Sequence, residues 1–259
     1  MDVITSRENP RIKRACALRD SEKQRAAAGL FFAEGPKLCL ELARGCRVAE
    51  LYATAPALAH TPALAALGPA VVEITQPVAE KLAGTRSTQG VFALFETPAT
   101  DPAPLLATAR RILALEAVQD PGNVGTLLRS AAAFGFDGVI LSDGCAAPYA
   151  PKTLRASMGA AVRLPVIEAG AMPPVIAALR GRGIECLAAA LYRSEPLSTA
   201  RAGQGGVCIV IGSEGQGLTQ QTIDACDRTV RIPMTDRVES LNAGIAGSIL
   251  LWHFRGAGL

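Results

Sequence analysis

The chain is 259 residues long, 49% hydrophobic and 19% charged, with a formal net charge of +3, which allows one or two domains around a real core and only mildly favours an anionic partner. Its seven cysteines are scattered without a Cys-x-x-Cys pair, and the only histidines are His60 and His253, so neither a structural zinc site nor a His-based metal centre is expected. No run of about twenty apolar residues suggests a membrane helix and no secretory signal is visible, which, with thiols in apolar runs (Cys186, Cys208), points to a reducing cytoplasm.

In chain order, residues 1–25 carry more Lys and Arg than acids. That excess reads either as a solvated helix face or as a phosphate-contacting entry segment using Arg7, Arg11, Lys13 and Arg14. Residues 32–36 look like a strand entering a helix over 37–44, and 48–53, 71–74 and 90–95 look like further strands. The loop Gly-Thr-Arg-Ser-Thr-Gln-Gly at 84–90 is a second candidate nucleic-acid contact. No Phe/Tyr array accompanies these basic groups, so base reading by aromatic stacking is not expected. Three prolines between 97 and 104 predict a stiff, extended connector. Beyond it, strand-like runs at 112–118, 138–141, 184–191, 207–211 and 230–234 alternate with helical stretches. This is the pattern of an α/β domain with a mostly parallel sheet, Rossmann-like by periodicity alone.

Three stretches of the second half carry chemistry. In the first, a buried strand runs into Asp120-Pro121-Gly122-Asn123, a loop opening a helix. Asn123 is a good N-cap, and Arg129 follows six residues on, close to two helical turns into the helix, placed for a crevice at a strand's carboxyl end. In the second, the apolar run 207–211 ends in a Gly-rich turn holding Glu214. Its glycines, Gly212, Gly215 and Gly217, follow neither the dinucleotide nor the P-loop spacing. In the third, a short strand ends at Pro233 and a helix is predicted to begin near Ser240, a natural N-cap. The small residues Ala243, Gly244, Ala246, Gly247 and Ser248 crowd that helix. Each glycine there costs about 1 kcal/mol of helix stability relative to Ala, which close packing of a backbone or a ligand should offset.

Together these stretches resemble the SpoU (TrmH-type) branch of the SPOUT RNA methyltransferases. The matching residues are Asn-Val-Gly-Thr-Leu-Leu-Arg at 123–129, Ile-Gly-Ser-Glu-Gly-Gln-Gly-Leu at 211–218, and Ile-Pro-Met at 232–234 followed by Ser-Leu-Asn at 240–242, within residues 110–256. The N-terminal third resembles the small L30e-like α/β domain that precedes many SpoU domains, through Asn9-Pro10 with Lys13, Glu34-Gly35 and Thr88-Gln89-Gly90-Val91. The resemblance implies an L30e-like RNA substrate-binding domain over 1–97, a Pro-rich linker over 98–109 and a SpoU methyltransferase domain over 110–259. It also implies a deep trefoil knot in that last domain, one of the rare exceptions to unknotted topology. Many relatives have a glycine shortly before Ser-Leu-Asn. Here 235–239 is Thr-Asp-Arg-Val-Glu, which would stiffen or recharge the loop.

The activity so implied is methyl transfer from S-adenosylmethionine to a ribose 2′-hydroxyl of RNA, with no metal. Ala189, Gly212, Ile232 and Leu241 would line the cofactor pocket. Arg129 would be the central catalytic residue. A guanidinium is a very poor base near neutral pH, so stabilising the developing alkoxide or orienting a phosphate is physically easier for it than acting as a base. Glu214 would hold Arg129 or the substrate by a charge-assisted bond. Asn123, Ser240 and Asn242 would position ribose and phosphate, with helix capping as their structural alternative. The segment 151–159 resembles an RNA-facing loop, with Lys152 and Arg155 suited to phosphate and Ser157 to a nearby hydrogen bond. The family implies a homodimer through the last helix, where Ile245, Ile249 and Trp252 supply either the dimer contact or intramolecular core. Ribosomal RNA is the favoured substrate, on the L30e-like domain. Transfer RNA is the alternative, followed by a non-catalytic RNA-binding protein of the same fold, and a nucleotide-dependent oxidoreductase is least expected.

Overall fold

A computed structural model describes residues 3–99, 101–191 and 193–256. The chain forms two compact units, one from Met1–Ala99 with Tyr149–Val162, the other from Thr100–Pro148 with Arg163–Leu259.

The first unit carries helices α1 (Pro10–Asp20), α2 (Glu22–Ala28), α3 (Pro36–Leu42), α4 (Ala55–His60) and α5 (Gln76–Leu82), and strands β1 (Leu30–Glu34), β2 (Val48–Ala53), β3 (Val71–Glu73) and β4 (Val91–Glu96). The sheet runs β1-β4-β2-β3, antiparallel except for β2 with β3. β1 and β4 are apolar on both faces because both faces are covered. Phe31 stacks on Phe95 across the β1–β4 pair at 5.3 Å and on Tyr149 at 5.2 Å. Asn9 caps α1 by accepting from the Arg11 N–H at 2.9 Å, and Pro10 follows, where its missing N–H costs nothing. Ile12, Ala15 and Leu18 turn inward, leaving Arg11, Lys13 and Arg14 outward.

The second unit opens with α6 (Pro102–Thr108), which corrects the expected extended connector. Asp101 accepts from the Ala103 N–H at 2.9 Å and Pro102 occupies the first helical position, so this Asp-Pro starts a helix. Leu105 and Ala109 enter the core. There follow β5 (Arg111–Leu115), α7 (Pro121–Ala133), β6 (Gly138–Leu141), and α8 (Pro151–Ser157), whose segment belongs to the first unit. The rest is β7 (Val166–Glu168), α9 (Met172–Arg180), β8 (Glu185–Ala189), β9 (Glu195–Pro196), β10 (Val207–Ile211), α10 (Gln220–Ala225), β11 (Arg228–Arg231) and α11 (Ala243–His253). The seven strands pair in parallel in the order β7-β6-β5-β10-β8-β11-β9. The strand expected over 230–234 is shifted, since β11 spans Arg228–Arg231 and the chain leaves the sheet before Pro233, which has no N–H to donate.

The glycines of α11 have the reason their cost demanded. A Cβ at Gly247 would lie 2.2 Å from Leu127 Cδ2 on α7 and 2.6 Å from Ile211 Cδ1 on β10. One at Gly244 would meet the Asn123 side-chain oxygen at 3.1 Å. Ser248 bonds Ser130 across the same contact at 2.8 Å. Close approach of α11 to α7 therefore offsets the propensity loss.

Candidate active site

β5 ends at Leu115, and Ala117 then adopts a left-handed conformation (φ 51°), unusual for a residue with a Cβ. Its N–H is held by Ser142 Oγ at 3.0 Å. The turn directs the N–H groups of Gln119 and Asp120 toward Glu214, at 3.3 and 3.4 Å. Asp120, not Asn123, caps α7, because Asp120 Oδ1 accepts the Asn123 N–H at 2.9 Å. Asn123 is thus the third helical residue, its side chain not used in capping, which corrects the assignment of the cap. A Cβ at Gly122 would sit 2.7 Å from the capping oxygen, so this turn favours glycine.

The Asn123 amide joins the other two motifs. Its Nδ2 donates to Glu214 Oε1 at 2.8 Å, and its Oδ1 accepts from Asn242 Nδ2 at 2.9 Å. Asn242 also caps α11, accepting the Ile245 N–H at 3.2 Å. The expected cap, Ser240, lies two residues upstream, exposed and without a hydrogen bond among the described residues. Partial burial pushes the Glu214 pKa up, but the donors from Asn123, Gln119 and Asp120 outweigh it and hold the carboxyl below its ordinary 4.5.

Arg129 lies on α7, exposed, with no hydrogen bond or ion pair among the described residues. Of the two expected partners of Glu214, Arg129 or the substrate, Arg129 is not bonded to it, because Asn123 and the two backbone N–H groups take the carboxylate. Arg129 is left charged and available to an anion.

Ala189 ends β8, Gly212 follows β10 and Ile232 follows β11, so the three sit at the carboxyl ends of neighbouring parallel strands. Leu241 is half-buried just before α11. A Cβ at Gly212 would strike the backbone at Gly217, 2.2 Å away, where Ser213 and Gly217 exchange backbone hydrogen bonds of 3.1 and 2.9 Å. Glu116, which sequence reasoning passed over, steadies the far side of that loop. Its buried carboxylate accepts from the Thr219 N–H at 2.8 Å, from the Thr219 hydroxyl at 3.1 Å and from the Thr222 hydroxyl at 2.5 Å. Its only advance signal was a lone carboxylate ending an apolar strand. Among the described residues, 232–241 make no backbone hydrogen bonds, and Met234 and Val238 are exposed there. Free backbone groups beside apolar side chains suit a ligand with an apolar or aromatic body and a polar rim.

The predicted phosphate contacts lie in the first unit and most are engaged internally. Glu50 takes both Arg11 (2.9 Å) and Arg14 (3.1 Å), and also accepts from the Tyr52 hydroxyl. Lys13 pairs with Glu8 at 2.7 Å, and Arg7 with Glu80 at 3.4 Å. Lys152 is exposed and Arg155 half-buried on α8. Ser157 is 1% exposed and donates to the Leu154 carbonyl of its own helix, which corrects its expected RNA-facing role. Among the described residues no cluster of His, Cys, Asp and Glu is placed to hold a metal, and no helix is long and apolar enough to cross a membrane.

The chain is similar to known proteins over nearly its whole length. Residues 110–252 match the SpoU rRNA Methylase family, and residues 9–93 match the MRM3-like substrate binding domain. The 23S rRNA (guanosine(2553)-2′-O)-methyltransferase RlmP of Bacillus subtilis is 28% identical over 99% of this chain and 100% of its own length. An uncharacterized tRNA/rRNA methyltransferase of Synechocystis sp. is 34% identical over 97% of this chain and 93% of its own. The AdoMet-bound rRNA methyltransferase of Sinorhizobium meliloti superposes with a TM-score of 0.85 at 30% identity, covering 97% of this chain and 96% of that one.

Proposed function

We propose that this chain, which belongs to the SpoU rRNA methylase family and is an S-adenosylmethionine-dependent RNA 2′-O-ribose methyltransferase, acts on ribosomal rather than transfer RNA. One observation carries the assignment of the site: the Glu214–Asn123–Asn242 chain joins all three motifs, and the helix that supplies Asn123 also carries the unpaired Arg129. Preference for ribosomal RNA is supported by the substrate-binding match of residues 9–93 and by the Bacillus subtilis relative, aligned over its whole length.

Ala189, Gly212, Ile232 and Leu241 would hold the cofactor, whose free-backbone, partly apolar surroundings fit it. S-adenosylmethionine supplies an electrophilic methyl group. The chain's residues supply position and charge. Arg129 stabilises negative charge developing on the ribose oxygen and holds the adjacent phosphate. A guanidinium is a poor base, so an electrostatic role suits it better than proton abstraction. Asn123 orients Glu214 and Asn242, and Asn242 and Ser240 hold the ribose and phosphate. Arg7, Arg11, Lys13, Arg14, Lys152 and Arg155 form the wider RNA surface, with the paired cations exchanging carboxylates for phosphates on binding. A trefoil knot belongs to the same reading, supported by the entry of β10 between the earlier strands β5 and β8. So does a homodimer, supported by the exposed stripe Ile245, Ile249 and Trp252 on α11.

The test is transfer of radiolabelled methyl to separated ribosomal and transfer RNA. Label is expected in one ribosomal species, lost by at least about 100-fold in Arg129→Ala, the cost of removing an anion-stabilising group. Label in transfer RNA alone would overturn the substrate assignment.

A further inference from the structure

The loop at 84–89 leaves α5 between two buried-side anchors of opposite charge. The Arg19 guanidinium donates to the Asp20 carboxylate and, through one nitrogen, to the carbonyls of Lys81, Leu82 and Ala83, at 2.9, 3.0 and 2.9 Å, closing the open end of α5. Glu34, 8% exposed at the end of β1, accepts the Gly84 N–H at 2.9 Å and the Thr85 hydroxyl at 2.7 Å. Gly84 lies against both anchors, with its Cβ position 3.5 Å from Arg19 Cδ and 3.6 Å from Glu34 Oε2. At the far end, Thr88 Oγ1 receives the Gly90 N–H at 3.0 Å. Both ends of the loop are therefore tied while Arg86, Ser87 and Gln89 face solvent.

Arg86 differs from every other arginine of residues 3–99. Arg7, Arg11, Arg14, Arg44 and Arg47 each meet a carboxylate, and Arg19 and Arg25 are held on backbone carbonyls. Arg86 has no partner among the described residues. A fixed loop that holds up one unpaired guanidinium has already met the ordering cost of binding an anion, and a guanidinium matches the two oxygens of a phosphodiester.

We propose that loop 84–89 is a preorganised contact for the RNA backbone, in which Arg86 binds a phosphate and Glu34 and Arg19 are positioning residues. The inference rests on the RNA methyltransferase reading and adds to it the group that grips the substrate in the first unit. The contact is with the backbone, so it sets affinity and register and leaves base identity unread.

The test uses the full chain and deproteinised ribosomal RNA, measuring equilibrium binding across a salt series together with methyl transfer. Arg86→Ala is expected to weaken binding several-fold and to reduce the slope of log K against log salt by about 0.7–0.9, one phosphate's share. KM for RNA should rise while kcat at saturating RNA and affinity for S-adenosylmethionine stay at wild-type values. Glu34→Ala should reproduce the KM effect without altering the salt slope by a full phosphate. Glu34→Gln should restore it, since a glutamine oxygen still accepts from Gly84 and its amide donates to Thr85. Arg86 is exposed, so its variant tests the inference even if Glu34→Ala fails to fold. Unchanged affinity and slope in Arg86→Ala, with normal wild-type methylation, would overturn the loop assignment alone. A wild-type chain that neither binds nor methylates ribosomal RNA would overturn both.

Discussion

Asn242 donates its side-chain amide to the Asn123 carbonyl oxygen at 2.9 Å, bridging 119 positions of sequence. The same Asn123 group donates to Glu214, so one neutral side chain serves as acceptor for one motif and donor for the other. Neither isosteric replacement does both: aspartate lacks the donor, and leucine lacks both functions.

Replacing Asn123 by alanine should therefore cost about 1–3 kcal/mol, from the donors and acceptors it strands. Asn123→Asp should cost more at neutral pH, because it sets a second carboxylate where Asn123 Nδ2 now lies 2.8 Å from Glu214. The diagnostic is its pH response. The two carboxyls would share a proton as pH falls, so the stability deficit of Asn123→Asp should shrink on acidification while that of Asn123→Ala should not. Thermal unfolding of both variants between pH 7 and 5 separates the cases, and parallel deficits would refute the donor–acceptor account.

Glu214 makes a second pH prediction. Its folded-state pKa is depressed below 4.5 by the donors that outweigh partial burial. A depressed carboxyl stabilises the fold fully above its unfolded pKa and loses that contribution as pH falls through the folded value. The Tm gap between wild type and Glu214→Gln should thus be widest near neutrality and narrow below about pH 4.5, the ordinary value of the group. The glutamine would also turn an amide toward the N–H of Gln119 or Asp120, so binding of S-adenosylmethionine should weaken together with stability. A gap that stays constant with pH would mean that the carboxylate charge contributes nothing.

What was legible beforehand follows from how local each signal is. The strands 48–53, 138–141 and 207–211 coincide with β2, β6 and β10, because short apolar runs between turn residues leave few alternatives. The two- and three-residue strands β9 and β7 have no such run and were missed. At both key helix starts the sequence points to one capping residue, Asn123 and Ser240, where the structure uses another of the same chemical class, Asp120 and Asn242. Local chemistry does not choose between them. The choice is made by tertiary partners, since a side chain needed to bridge α7 to Glu214 is not free to cap α7. The helix at 102–108 was hidden by its own prolines, although Asp101-Pro102 is a helix start. The pairing of Arg11 and Arg14 with Glu50 depends on β2 lying beside α1, which no spacing rule reveals.

The glycines of α11 make a graded prediction. Gly247→Ala places a methyl 2.2 Å from Leu127 Cδ2 and 2.6 Å from Ile211 Cδ1, both on fully or nearly buried side chains. Overpacking of this kind costs about 1–3 kcal/mol, against about 1 kcal/mol gained in helix propensity. Gly244→Ala meets its nearest atoms only at 3.1 Å, so propensity should nearly cancel strain there. Gly247→Ala should lower Tm by a few degrees and Gly244→Ala by less, and the reverse order in a thermal melt would contradict the packing read between α7 and α11.

The exposed face of α11 offers a prediction independent of catalysis. Ile245 is 55%, Ile249 37% and Trp252 53% exposed, and their spacing of four and three residues puts them on one stripe. Trp252 is partly committed within the chain, edge-on to Phe134 at 5.5 Å and under the Arg255 guanidinium at 3.6 Å, so its loss would confuse association with local packing. Ile245→Glu and Ile249→Glu avoid that ambiguity, since neither side chain is needed for the core. If the stripe is a self-complementary dimer face, each substitution meets its own copy near the symmetry axis and sets like charges together. Light scattering after gel filtration should then report a dimer for the wild type and a monomer for either glutamate variant. The wild-type Tm should also rise with protein concentration, and the variants' should not, because association stabilises only the folded chain. A wild type that remains monomeric at micromolar concentration would leave the stripe without its proposed partner and the dimer reading without support.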